Sequence, residues 1–318
     1  MASSANSNLT SSMRLLMIGA ALVSSIALTN TRAQADNSKT LSGYYQAGLE
    51  ALNANQMNKC KQFISLLRGT SGGASTANAL ESQILSKQGH FKEALALINQ
   101  SLKSQPNSAS LLAQRALIYG YSDNEEQSYN DYIAASKCSN MTSDDCYTIV
   151  KGLSEYDKWD EALAIAQICI KQKQANGPLY ALAGDLARKI KKLTLSEHYI
   201  EKAIAIGPAK ASTFQELASL HKVMKKWPAV INDCKRLKQV IVNADKHMTY
   251  ARCLELSGDA HIELKQYEEA IVDFSNAIKI SPLKSSILKQ RASAYEKLGK
   301  RALAQRDLAA AKQIDNSY

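Results

Sequence analysis

The chain has 318 residues, 39 Lys and Arg against 29 Asp and Glu, a net charge of +10 and six cysteines. Its length alone would suggest two domains, and its charge admits an anionic partner. Three classes are excluded: no stretch beyond the N-terminal one could span a bilayer, no run alternates with the period of a strand, and the cysteines lack the CxxC spacing of a zinc framework.

The first element is an N-terminal segment over residues 1–35. Met13 and Arg14 precede the mostly apolar run Leu15–Thr29, and TRAQA ends at Ala35. A basic start, a short apolar core and an A-x-A exit predict a cleaved secretory signal. The alternative is an uncleaved anchor. Met13 would make a tidier start than Met1. Loss of this segment removes Arg14 and Arg32 and no acid, so the mature charge is (39 − 2) − 29 = +8. The expected location is the periplasm or the secreted fraction, with a eukaryotic secretory lumen as the alternative. Residues 36–40 form a short linker.

From residue 41 the chain repeats itself. HFKEALALINQSLKSQP begins at His90, and QYEEAIVDFSNAIKISP, with the same skeleton, begins at Gln266. Between them, Trp159 and Ala162 lie two 34-residue steps after Phe91 and Ala94, and Trp227 lies two more steps on. The phase gives eight copies: 41–74, 75–108, 109–142, 143–176, 177–210, 211–244, 251–284 and 285–318, with an insertion around Asn243–Tyr250. A period of 34 marks a helix–turn–helix array whose units touch only their neighbours. In the copy at 251–284, Leu254, Gly258 and His261 share one face of a first helix. Tyr267, Ala270, Phe274 and Ala277 share one face of a second helix, which Pro282 ends. Gly258 and Ala270 are small where the two helices meet. RGTSGGAST (Arg68–Thr76) reads as a flexible joint.

At these residues the sequence resembles the tetratricopeptide repeat family. Gly258, Tyr267, Ala270, Phe274, Ala277 and Pro282 carry the match in one copy. Gly89, Phe91, Ala94, Ile98 and Pro106 carry it in another, Gly184, Ala203 and Pro208 in a third, and Gly48 in a weaker one. The copies at 41–74 and 109–142 depart most. The resemblance implies an all-α fold, an α-solenoid wound as a right-handed superhelix of about eight helix–turn–helix repeats. It also implies that extended or helical protein segments bind along the first helices. The inward-facing residues expected are Tyr45, Leu49, Tyr121, Tyr147, Lys151, Arg188, Lys189, Lys222, Glu255, Asp259, Glu263 and Lys289: aromatics early, bases in the middle, acids in the seventh copy. The family's carboxylate clamp is not expected, because Lys289 is followed one turn later by Ser293.

The cysteines predict two bridges, Cys138–Cys146 across a loop and Cys234–Cys253 between adjacent helices. Cys60 and Cys169 read as buried small apolar residues. His90, His198, His221, His247 and His261 are scattered singly, and no metalloprotease, nucleophile-elbow or phosphate-loop motif appears. No catalytic residue, cofactor or metal is expected, and the chain reads as a non-catalytic protein-binding scaffold. The rival function is polyanion or anionic-surface binding through Lys191, Lys192, Lys225, Lys226 and their basic neighbours, against the plainer reading of a solvated helix surface. RNA or DNA is not an expected partner, and the mature chain has no membrane span. A third expectation is homo- or hetero-assembly through the last helix, where Ala302–Ala311 is rich in small apolar residues.

Overall fold

A computed structural model describes residues 40–207, 210–241, 247–281 and 284–316. The N-terminal signal, Pro208 and Pro282 lie outside the described residues. The described residues form 16 helices and no strand. They divide into two compact units, one ending at Cys138 and one beginning at Ser139.

The first unit holds three hairpins: α1 (40–53) with α2 (Met57–Gly69), α3 (Ala74–Lys87) with α4 (Phe91–Ser104), and α5 (Ala109–Tyr121) with α6 (Glu125–Ser136). The second unit holds five: α7 (Ser143–Glu155) with α8 (Trp159–Lys171), α9 (Gly177–Lys189) with α10 (Leu193–Ile206), α11 (Ala211–Val223) with α12 (Trp227–Val240), α13 (His247–Glu263) with α14 (Tyr267–Ile280), and α15 (Lys284–Lys297) with α16 (Arg301–Asp315). Within each unit, each hairpin packs on the next one along the chain.

One conformation closes all eight hairpins. Asn55, Gly89, Asp123, Asp157, Lys191, Lys225, Lys265 and Gly299 each take a positive φ, between 56° and 81°. In seven of these turns, all but the one at Asp157, the residue after it bonds back five residues, as in Gln56 N–H to Ala51 O at 2.8 Å, His90 to Leu85 at 2.9 Å and Lys192 to Ala187 at 2.8 Å. This is the Schellman closure, which satisfies a carbonyl that the end of the helix leaves open. Seen from these residues, the step between hairpins is 34 (89 − 55), lengthened to 40 only between Lys225 and Lys265 (265 − 225).

The two helices of a hairpin meet through small side chains. On the first helices these are Gly48, Ser82, Ala116, Val150, Gly184, Ala218, Gly258 and Ala292; on the second they are Cys60, Ala94, Ser128, Ala162, Ser196, Val230, Ala270 and Ala304. All are buried. A Cβ on Gly258 would stand 2.6 Å from the Phe274 ring, and one on Gly184 would stand 2.7 Å from Ile200. Where the second helix carries serine, its hydroxyl donates across the joint: Ser128 to Ala116 O and Ser196 to Gly184 O, each at 2.7 Å. A buried hydroxyl is tolerated only with such a partner.

Five readings of the sequence need correction. RGTSGGAST is a tight turn: Gly73 is buried, and a Cβ there would stand 1.9 Å from Leu67 O. The α1–α3 helices share one core with Leu52, Leu67 and Leu80. The insertion before residue 251 is partly helical, since α13 starts at His247, and Tyr250 packs against two neighbouring cores. Cys146 pairs with Cys169, not Cys138, with Cα atoms 6.2 Å apart; these two residues face each other across the α7–α8 hairpin, as Asn78 and Ser101 do in α3–α4 at 3.2 Å. Cys169 is therefore a bridge residue. Cys234 and Cys253 do lie together in one core, but as thiols, and Cys234 Sγ donates to the Cys253 carbonyl at 2.9 Å. Cys60 is buried, which pushes its thiol pKa up.

Gly258→Ala should lower stability by about 1–3 kcal/mol in urea unfolding, while Gly43→Ala, with nothing within 4 Å, should not. Cys146→Ala should cost about 3 kcal/mol, and added reductant should lower the wild-type protein to the same level without affecting the variant further.

Candidate partner-binding faces

In the first unit the first helices are tied by one phenol. Tyr45 Oη of α1 accepts Gln83 Nε2 of α3 at 3.0 Å and Gln114 Nε2 of α5 at 2.6 Å. Tyr45 and Leu49 pack against the core beneath. Tyr121, at the end of α5, is 64 % exposed. Gln114 Oε1 and Ser86 Oγ are buried without a hydrogen-bond partner. The only charge among these neighbours, Lys87, donates to Leu52 O at 3.2 Å and so caps α1. Apart from Lys87, whose ammonium is spent on the end of α1, this face is lined by phenol and amide groups.

The second unit is different. Its first helices carry charges that mostly answer one another. Lys222 Nζ of α11 meets Asp259 Oδ2 of α13 at 2.6 Å, and Gln290 Nε2 of α15 donates to Asp259 Oδ1 at 2.9 Å. Asp259 therefore joins three first helices, as Tyr45 does in the first unit. Arg188 pairs with Asp185 on its own helix. Glu216 of α11 is solvent-accessible yet crowded by protein; that crowding and the Asp185 carboxylate push its pKa up, against the Arg188 guanidinium. Lys151 and Glu263 are exposed, and Tyr147 is half-buried.

Three expected groove residues are committed elsewhere. Glu255 is buried and accepts from Arg252 at 2.7 Å. Lys189 stands over the Trp159 ring, 5.0 Å from its centroid. Lys289 reaches across its own hairpin to Asp315 at 2.8 Å. Each answers a local need: a carboxylate that would otherwise be buried alone, an aromatic face that attracts a cation, and a helix C-terminus with an acid beside it.

Sequence reasoning missed a set of buried aspartates on the second helices, held by first-helix arginines that also reach the preceding hairpin. Arg115 holds Asp131 through two bonds, at 2.6 and 2.8 Å, and Asn99 of the preceding hairpin at 2.8 Å. Arg291 holds Asp307 at 2.7 and 2.8 Å and Ser275 of the preceding hairpin at 2.9 Å. Both arginines lie against a tyrosine, Tyr119 or Tyr295. The signal was present in phase: Gln114-Arg115-Ala116 and Gln290-Arg291-Ala292 occupy the same place in their copies. Such forked pairs fix geometry as well as energy.

His221 solves the same problem with an imidazole. It is buried between carboxylates, Nδ1 2.6 Å from Asp233 of α12 and Nε2 3.0 Å from Glu197 of α10. Lys226 also binds Glu197 at 2.7 Å, and Arg236 binds Asp233 at 3.3 Å and Glu201 at 2.9 Å. Burial alone would lower the His221 pKa; the bonds to Asp233 and Glu197 outweigh it and raise the pKa above 6.5. Burial would raise the Glu197 pKa; Lys226 and His221 outweigh it and hold the carboxyl below 4.5.

On α16, Leu308 is 42 % exposed, whereas its counterparts Ile98, Tyr132, Ile200 and Phe274 are buried. Exposed Arg301, Gln305 and Lys312 flank it at helical spacing. On that face Leu308 stands alone among polar residues, and elsewhere on α16 Leu303 is 41 % exposed.

Residues 251–282 match the family model of the tetratricopeptide repeat. No curated protein matches the chain. Among solved structures, YrrB, described as a TPR protein with an unusual peptide-binding site, aligns with a TM-score of 0.50 at 14 % identity, over 59 % of this chain and 93 % of that one. MamA aligns at 0.48 and 17 % identity, over 54 % and 98 %. PilF of Pseudomonas aeruginosa aligns at 0.49 and 16 %, over 66 % and 92 %. At these identities the likeness is one of fold.

The α10–α12 junction should titrate. Because the His221 pKa is raised, its contribution is complete below pH 6.5 and is lost as pH rises through the folded-state value. The stability at stake is about 1.4 kcal/mol for each tenfold gain in proton affinity on folding. Because the Glu197 pKa is lowered, its contribution is present above pH 4.5 and is lost as pH falls through its folded-state value. Hydrogen exchange of α11 against pH should show both limbs, and His221→Gln should flatten the alkaline one.

Proposed function

We propose that the chain, in which residues 251–282 match the tetratricopeptide repeat, is a non-catalytic scaffold that holds an extended or helical segment of a partner protein along its first helices. The observation that carries this reading is the phenol- and amide-lined face of the first unit. Tyr121 offers a large apolar anchor in solvent, the kind of residue that dominates binding energy. The Tyr45–Gln83–Gln114 network holds this face in one geometry before any partner arrives, which lowers the ordering cost of binding.

The same reading puts the mature chain outside the cytoplasm. Its support is the N-terminal sequence and the Cys146–Cys169 bridge, since such bridges persist in oxidising compartments. N-terminal sequencing of the mature protein should begin at Asp36; recovery of Met1 or Met13 would refute cleavage.

The partner should be captured by crosslinking in the native compartment. Tyr121→Ala should reduce capture about tenfold or more, the scale of a lost aromatic anchor, with the melting temperature unchanged. Capture should survive high salt, because the face is lined by phenol and amide groups. Unaltered capture by Tyr121→Ala would end this assignment of the face.

A further inference from the structure

The turn that closes each hairpin is built alike in both units but not from like residues. In the first unit the left-handed position is filled by Asn55, Gly89 and Asp123; in the second, by Asp157, Lys191, Lys225, Lys265 and Gly299. Glycine takes this conformation without steric cost, and Asn and Asp tolerate it through local hydrogen bonds. Lysine has neither advantage. Three successive hairpins nevertheless carry lysine there, with φ of 63°, 57° and 60°, and Lys173, which closes α8 outside a hairpin turn, takes the same conformation at 59°. All three side chains are exposed, and none makes an ion pair or hydrogen bond among the described residues that would compensate. A local rule broken repeatedly, without structural return, points to a function for the side chain.

Two of these turns are doubly basic. Lys192 follows Lys191, and Lys226 follows Lys225. Lys226 is tied to Glu197, and Lys192 reaches Asp160 only at 3.9 Å in solvent. On either side the net sign reverses. The α7–α8 turn carries Asp157, Asp160 and Glu161 against Lys158, and the α13–α14 turn carries Glu263, Glu268 and Glu269 against Lys265. Packed helices lie about 8–10 Å apart, so the basic island spans two neighbouring turns and has acids at both borders.

We propose that the α9–α10 and α11–α12 turns form a second binding surface, separate from the first-helix face, for a short acidic segment of a protein flanked by basic residues. The sign pattern selects this partner over a uniform polyanion. A nucleic acid or an anionic bilayer would press its charge on the acidic borders as well as on the island. The island also lacks the arginine forks and exposed aromatic rings with which nucleic acids are usually held. An extended chain advances about 3.3–3.6 Å per residue, so a run of about four to six acids covers both turns. Lysine ammoniums remain hydrated, so the contact is weak and salt-sensitive.

The test uses the mature chain and a synthetic peptide of consecutive glutamates flanked by arginines, with fluorescence anisotropy at low salt. Duplex DNA, anionic vesicles and an unflanked glutamate peptide serve as comparators. The flanked peptide should bind best. Lys191→Gly with Lys225→Gly should raise the melting temperature, because strain is relieved, and weaken the peptide about fivefold. Lys192→Gln, at a site with no left-handed backbone, should weaken it without raising the melting temperature. Three outcomes overturn the proposal: glycine variants that stabilise the protein and bind as before, glycine variants that are less stable than the parent, and DNA or vesicles that bind as well as the flanked peptide. Failure here would leave the Tyr121 face untouched, since no residue is shared.

Discussion

Everything in this molecule depends on two helices approaching until only a small side chain fits between them. At Gly258 the space that a methyl group would need is already filled by the Phe274 ring, and at Gly184 by Ile200. The approach in turn requires a closure of fixed geometry, and the left-handed residue at each hairpin supplies it. Neither device stabilises a lone hairpin much. Stacking hairpins turns each apolar flank into core, which is why the unit repeats.

Polar groups then do what small residues cannot: they pin the second helix of a hairpin to its first, and Arg115, His221 and Arg291 reach from there to the preceding hairpin. Asp131, Asp233, Asp273 and Asp307 all lie on second helices and are met from the first helix by different partners. Arginine serves twice and a histidine once, while Ser257 donates to Asp273 at 2.6 Å against the burial that pushes that carboxyl up. A buried carboxylate without a partner would be costly, so each pairing fixes geometry more than it adds net stability. On the first helices the same economy leaves few charges over. Arg188, Lys222 and Lys289 all find acids nearby. This is why a basic composition does not translate into a basic groove.

The helix pairs were readable from phase, because the residues that must be small or ringed are set by contacts inside one copy. Phase also contained the Cys146–Cys169 bridge, since Asn78 and Ser101 occupy the same two places 23 residues apart. What could not be read was the state of the charges. Whether Glu255 faces a groove or folds back on Arg252, and whether Lys189 is free or lies on Trp159, depends on neighbours within a few ångströms. Helical spacing places a residue on a face; it does not say what that residue touches. The glycine-rich stretch at Arg68–Thr76 shows the converse error. Its composition suggested slack, but glycine was needed there for close contact with Leu67.

The single covalent bridge joins the two arms of one hairpin rather than one hairpin to another. An array of this kind can be drawn out link by link, each link lengthening as its helices part. The stretch from Cys146 to Cys169 cannot contribute its contour to that extension. A protease that nicks the chain between the two sulfurs would likewise leave fragments that travel together until a thiol separates them.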